Sequence, residues 1–374
     1  MKKKLLVGLA LVVMSMAALG CSKKEQAPIN EGQATAAPEV EQVVEEPTMT
    51  PEPTKDPYEG KAKSLLTGEY IPEKAAKKRP FAVMINNIEY ASRFHSALSK
   101  ASILYEAKVE GGITRLMAIF ENPKNIEKLG SVRSARHYYV SVASEYDAVF
   151  VHFGHTHFAL DKIAKLGVDN ISGLSGYGGT VFYRDNSISA PHNAFASSDG
   201  LERGMKALKY RKNYKDGYEG HYKFYDEDTD LTDGKDAHKV VVKFSGYTAP
   251  YFVYDAEKKV YKRYQYGREH MDTANNKQLT FKNLIIQNVD DEPIVPGHAK
   301  DYRTINFTNA TGKGKYITNG KAINITWKKK ESEKFMKYYY EDGSELVINP
   351  GKTYVALLPD ENSDLTITGK KDKE

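Results

Sequence analysis

The chain has 374 residues, 40% of them hydrophobic and 28% charged, with a formal net charge of +5 and a single cysteine. One cysteine excludes an intramolecular disulfide, a thiolate zinc cluster and a cysteine redox pair. The charge is uneven: three lysines make residues 1–21 +3, residues 22–57 carry three lysines against eight acids, and the remainder is +7. A mildly basic body outside the cytoplasm fits anionic envelope polymers or lipid headgroups better than nucleic acid, and it fits ordinary solubility charge equally well.

Residues 1–21 read as a secretory signal: Lys2, Lys3 and Lys4, an apolar run from Leu5 to Met16, and small residues leading to Ala18-Leu19-Gly20-Cys21. The run is too short for a permanent transmembrane helix. Its ending resembles the bacterial lipobox, with Ala18 where leucine is usual, so Cys21 is the expected lipidation site and the membrane the expected partner, on the extracytoplasmic face. Residues 22–57 are rich in Glu, Pro, Ala, Thr and Gln and poor in residues to bury; this linker is expected to stay disordered and to hold a domain up to about 100 Å from its anchor, at roughly 3 Å per residue.

The rest is long enough for two domains. Residues 58–230 alternate strand-like and helical patterns, and 237–374 are almost entirely strand-like, with the charged, turn-rich segment from Tyr225 to Asp236 between them. Pro80 to Asn86 begins as a buried strand. Ile103 to Val109 and Thr114 to Phe120 read as two more, close enough across Gly111-Gly112 to form a hairpin. From Ser134 the apolar positions Ala135, Tyr138, Tyr139, Val142, Ala143 and Tyr146 recur at helical spacing. Ala148 to Phe153 is a strand buried on both faces, and Ala159, Ile163 and Leu166 mark a helix that stops at Gly167. The N-terminal domain is therefore expected to be an α/β layer domain with a mixed sheet. In the C-terminal domain, turns near Glu257, at Asn319-Gly320 and at Asp342-Gly343 separate strand-like runs, which predicts a mainly antiparallel β domain. Tyrosine is abundant, with 26 residues, and packing pairs across strands are the expected use.

Chemistry concentrates between Ile103 and Phe158. The run Gly130-Ser131-Val132-Arg133-Ser134-Ala135-Arg136 leads into the predicted helix, and two arginines at a helix N-terminus oppose the macrodipole. A bound phosphate, sulfate or carboxylate would offset them, as would pairing with Glu106 and Glu110 inside the domain. Arg115 is placed to join the same face. Arg184, His192 and Asn193 lie in a Gly- and Ser-rich region without periodicity, the setting in which binding residues often sit. Glu106, Glu110, His152 and Asp185 are the candidate acid or base groups. His152, His155 and His157, followed by Asp161, would hold a metal only if three ligands converged, which this spacing does not enforce; hydrogen-bonding or capping histidines are the expected reading, with no metal and no cofactor.

The segments RPFAVMINN, YEAKVEGGITRLMAIF, GSVRSARHYY, DAVFVHFGHTHFAL and APHNAF, with YGREHMD, LIIQNV, ITW and NPGKTYVALLP in the second half, together resemble the YerB-type bacterial lipoproteins from about Ser64 to Pro359. Ser131 stands where that family favours proline, and His155-Thr156-His157 where it favours small polar residues. The resemblance implies two domains of unknown function and carries no established activity. The function expected is an envelope lipoprotein binding an anionic ligand, a wall polymer, phospholipid or peptidoglycan carboxylate, through Arg115, Arg133 and Arg136. One alternative is an envelope-assembly enzyme acting on a phosphorylated or lipid-pyrophosphate substrate. The order of an arginine-bearing strand and an arginine-bearing loop is similar to that in LytR-CpsA-Psr phosphotransferases, whose arginine-aspartate motifs are absent. Another is a protein-interaction module using exposed strand edges, with the partner unnamed.

Overall fold

The apolar run FAVMINN forms β1 (Phe81–Asn87), and each of its residues is buried. A computed structural model describes residues 56–297, 300–307, 309–330, 333–360 and 364–372. The signal segment, Cys21 and nearly all of the linker lie outside the described residues. After β1 come β2 (Ile103–Lys108) and β3 (Thr114–Phe120), an antiparallel hairpin closed at Gly111-Gly112. Both glycines have positive φ, 68° and 71°, a conformation that disfavours a Cβ.

A short strand, β4 (Leu129–Gly130), precedes helix α1 (His137–Glu145), strand β5 (Val149–His152), helix α2 (His157–Leu166) and strand β6 (Asn170–Ser172). Thr156 caps α2 by accepting from the Ala159 amide, and Gly167 ends it in the left-handed conformation. Strands β7 (Phe182–Arg184) and β8 (Ala194–Ala196) make a small antiparallel sheet with β4, followed by helix α3 (Ser198–Ala207), capped by Ser197.

The second half supplies β9 (Lys239–Lys243), β10 (Tyr251–Asp255), β11 (Val260–Gln265), β12 (Asn283–Val289), β13 (Ala310–Thr318), β14 (Lys321–Lys329), β15 (Thr353–Pro359) and β16 (Asp364–Thr368). The turn at Asn319-Gly320, with φ of 48° and 76°, joins β13 and β14 as an antiparallel hairpin. Tyr251 and Tyr264 stack across β10 and β11 at 4.7 Å, the packing use expected of the tyrosines.

The two halves share one sheet of eleven strands, in which β14, β13, β12, β15, β2, β3, β1, β5 and β6 follow one another. β15 runs parallel to β12 on one side and to β2 on the other. The sheet is mixed on the N-terminal side, while β9, β10, β11 and β16 form a separate antiparallel sheet. Alternation along β1 divides the core. Val83 and Ile85 face Val240, Val242 and Phe252 of the second sheet together with Leu201 of α3, and Ala82 and Met84 face Tyr138, Tyr139 and Ala143 of α1 with Ile163 of α2. Burial on both faces explains why these strands read as continuous apolar runs.

Candidate functional site

Strand β5 ends at His152, one place past the Val83–Val151 pair, while the parallel strand β1 runs on to Asn87, and the chain from Val132 to Ala135 crosses this end of the pair. The Arg133 amide donates to the Met84 carbonyl at 2.9 Å, and its own carbonyl accepts from the Phe153 amide at 3.0 Å. The predicted helix start at Ser134 is therefore corrected: Ala135 bridges to His155 in extended conformation, its amide donating to the Gly154 carbonyl at 3.0 Å, and α1 begins only at His137. Arg136 holds the position just before that helix without capping it by its side chain, while Arg133 stands further out.

The arginines differ in their partners. Arg136 is clamped by Glu110, with Nε and Nη2 each 2.5 Å from one carboxylate oxygen. Arg115 is buried and donates from Nη1 to the Ser134 carbonyl at 2.7 Å; burial, then repulsion from Arg136, pushes its pKa down to about 9. The Arg133 guanidinium has no hydrogen-bond or ion-pair partner among the described residues, and its Nε is buried. Burial, then the charges of Arg136 and Arg184, lower its pKa. Arg184 lies with its guanidinium 4.8 Å from the centre of the Phe153 ring and donates to the Asn193 side chain at 2.7 Å. His192 accepts at Nδ1 from the Asn86 side-chain Nδ2 at 2.7 Å, which leaves the proton on Nε2, and burial followed by the Arg133 charge lowers its pKa. The carboxyl ends of the central strands thus gather Arg133, Arg136, Arg115, Arg184, His192 and Asn193, with Asn86 as a member that residue-type reasoning passed over. Its one signal was a polar residue ending an apolar strand where open sheets bind ligands.

The acid and base candidates separate. Glu106 does not pair with Arg133 or Arg136. It is fully buried on β2 and accepts from Arg263 at 2.7 Å, Thr114 at 2.6 Å, Tyr354 at 2.9 Å and Asn87 at 3.0 Å. Asp185 is held by Lys128 at 2.5 Å and by the Ser187 hydroxyl and amide, which lower its pKa to about 2, the Lys128 contact most. His152 is buried between the Gly154 carbonyl at 2.7 Å and the Asn170 amide oxygen at 3.2 Å. Its ring lies 5.9 Å from that of His155, whereas His157 begins α2 beside Tyr302. Among the described residues no group of three or more potential metal ligands converges.

A second polar cluster escaped the sequence reading. Arg263, His270 and His95 are buried in a line from Glu106, with His95 reaching the Asn86 carbonyl at 2.6 Å. The signal was in the alternation: Arg263 shares a strand face with Tyr261 and Gln265, all three buried.

Comparison with known proteins places these residues in context. Residues 66–211 match the model described as the N-terminal domain of a protein of unknown function (DUF3048), and residues 240–355 match its C-terminal domain. A Bacillus subtilis (strain 168) protein named "Putative lipoprotein YerB" is 30% identical over 303 residues, covering 80% of this chain and 87% of that protein. The crystal structure of YerB from Bacillus subtilis superposes with a TM-score of 0.72 at 28% identity, covering 82% of this chain and 99% of that one.

Proposed function

Because the chain belongs to the DUF3048 family of YerB-like proteins, whose description assigns no activity, we propose that it is an envelope lipoprotein whose N-terminal half binds a phosphate- or carboxylate-bearing ligand at the carboxyl ends of β1 and β5. Similarity to a protein named as a lipoprotein implies a lipid anchor, for which Cys21 is the candidate. No helix among the described residues is long and apolar enough to cross a membrane.

The observation that carries this reading is Arg133. Its buried Nε has no partner while Arg136 beside it is fully paired. An unsatisfied buried donor costs about 1–3 kcal/mol, and more when charged, so an anion seated there recovers energy that the protein alone leaves unclaimed. Arg184 and the Nε2 proton of His192 stand near enough to Arg133 for its charge to repel theirs, and they would complete the cradle. Arg136 and Arg115 serve as its frame. Binding is favoured over turnover because Asp185 and Glu110, the carboxylates a catalytic reading would use as base, are already ion-paired.

Crystals soaked in sulfate or phosphate test the reading. An anion against the Arg133 guanidinium, with calorimetric binding abolished by Arg133→Ala and the melting curve retained, is the expected result. Anion density only elsewhere, or unchanged binding by the variant, would sink it.

A further inference from the structure

At the opposite, amino end of β1 the surface is hollowed by two cavities of about 470 and 970 Å³ that share Lys78, Asn122 and Glu202 in their walls and so form one groove. Ten basic and four acidic residues line it, an excess close to the net charge of the whole chain. Lys74, Lys78, Lys124, Lys206 and Lys212 have no ion-pair partner among the described residues, although Asp199, Glu202 and Glu69 line the same walls. Unpaired like charges crowded along a concave wall repel one another and raise the local concentration of anions. Arg133 meets β1 at Met84, about 10 Å along the strand from Phe81 in the groove wall at about 3.3 Å per residue.

We propose that this groove binds a linear, phosphate-repeating polymer, with its lysines as successive point contacts along the chain. The residue types favour that class. Lysine ammonium groups are hydrated point charges that suit flexible phosphate chains, whereas planar carboxylate recognition favours arginine forks. The two arginines present are engaged elsewhere: Arg79 with Asp169 at 2.6 Å, and Arg203 with the Thr180 carbonyl at 3.2 Å. Among the described residues Phe81 is the one aromatic side chain in the lining and it is buried, so these walls offer no platform on which nucleic-acid bases could stack. A groove rather than a flat face argues for an inserted chain over a membrane surface.

Glu121, in the floor of the groove, strengthens the assignment. One carboxyl oxygen accepts from the Ser64 hydroxyl at 2.6 Å and the other is buried without a partner. Burial, with repulsion from Glu69, raises its pKa to about 7. Protonated, it removes a negative charge from the groove wall.

The test uses the full chain in detergent micelles with linear polyphosphate and poly(glycerol phosphate) as two sources of the same chemistry, and with anionic-lipid vesicles as a third arm. The combined variant Lys124→Glu, Lys206→Glu and Lys212→Glu should weaken polymer binding at least tenfold and flatten the dependence of log K on log salt by about 2, at roughly 0.7 per lost contact. The polymer bound more tightly identifies the source. Each assay is run in the Arg133→Ala background, which takes the Arg133 anion site out of the reading. Equal loss in a control carrying Lys258→Glu, Lys313→Glu and Lys370→Glu would reduce the groove to general charge. Binding of neither polymer, or loss of vesicle binding alone, would overturn the proposal.

Discussion

Glu106 on β2 and Arg263 on β11 meet at 2.7 Å with neither side chain exposed, so one ion pair links the central sheet to the second antiparallel sheet. Thr114, Tyr354 and Asn87 fill the remaining acceptor capacity of Glu106, so the carboxylate is held by several donors together. Removing one partner leaves an uncompensated buried charge. Arg263→Met should cost about 3–5 kcal/mol in urea unfolding. Adding Glu106→Gln should recover part of that loss, since the amide keeps an acceptor oxygen without the charge. A double variant as unstable as the sum of its two single changes would show that the pair is not coupled.

The two loop arginines should respond in opposite directions. Arg136→Ala strands Glu110 and should destabilise the fold by about 1–3 kcal/mol. Arg133→Ala removes an unpartnered, part-buried cation and should leave stability unchanged or slightly raised when no ligand is present. Chemical denaturation of both variants in anion-free buffer measures this.

Acid should unfold the protein through its buried histidines. Burial lowers the pKa of His95 and of His137 to about 4, and of His221 to about 3. The folded pKa lies below the unfolded one, so the unfolded chain takes up protons first. Stability is full above about pH 6.5 and is lost as the pH falls towards 4, by about 1.4 kcal/mol per pH unit for each such histidine. His221 stacks on Tyr146, and its ring nitrogens make no hydrogen bond although Glu145 is 3.4 Å away. His221→Phe should keep the neutral-pH melting temperature and make the decline between pH 6.5 and 4 shallower.

Glu121 should act on the other side of neutrality. Its folded pKa, about 7, lies above the ordinary value of 4.5, so its contribution is present below pH 4.5 and fades as the pH rises through 7. The loss amounts to up to about 3 kcal/mol, at about 1.4 kcal/mol per unit. Glu121→Gln should be the more stable protein at pH 8 and show no comparable decline between pH 5 and 8 in thermal melts.

Much of the local structure was legible because it depends on near neighbours along the chain. The hairpin at Gly111-Gly112, the turn at Asn319-Gly320 and the stop of α2 at Gly167 follow from backbone preferences and apolar periodicity. The polar end of β1 at Asn86 and Asn87 carried a signal that residue types alone did not single out. The start of α1 is later than spacing suggests because Ala135, helical by spacing, is held extended by the Gly154 carbonyl, a partner from the connection after β5.

By itself, then, the sequence determined several of the strands, hairpins and helices, the shared α/β and antiparallel β character, and the family. Only tertiary structure decided that β15 slots between β12 and β2, some 250 residues from the latter, and so makes one sheet of both halves. It also decided which acid each arginine meets. Glu106 and Glu110 are both acids near the same hairpin, but Glu106 points from a buried strand position towards Arg263, and Glu110 sits in the turn within reach of Arg136. That choice is set by strand pairing and by the face each residue presents, quantities fixed by contacts distant in sequence rather than by residue type.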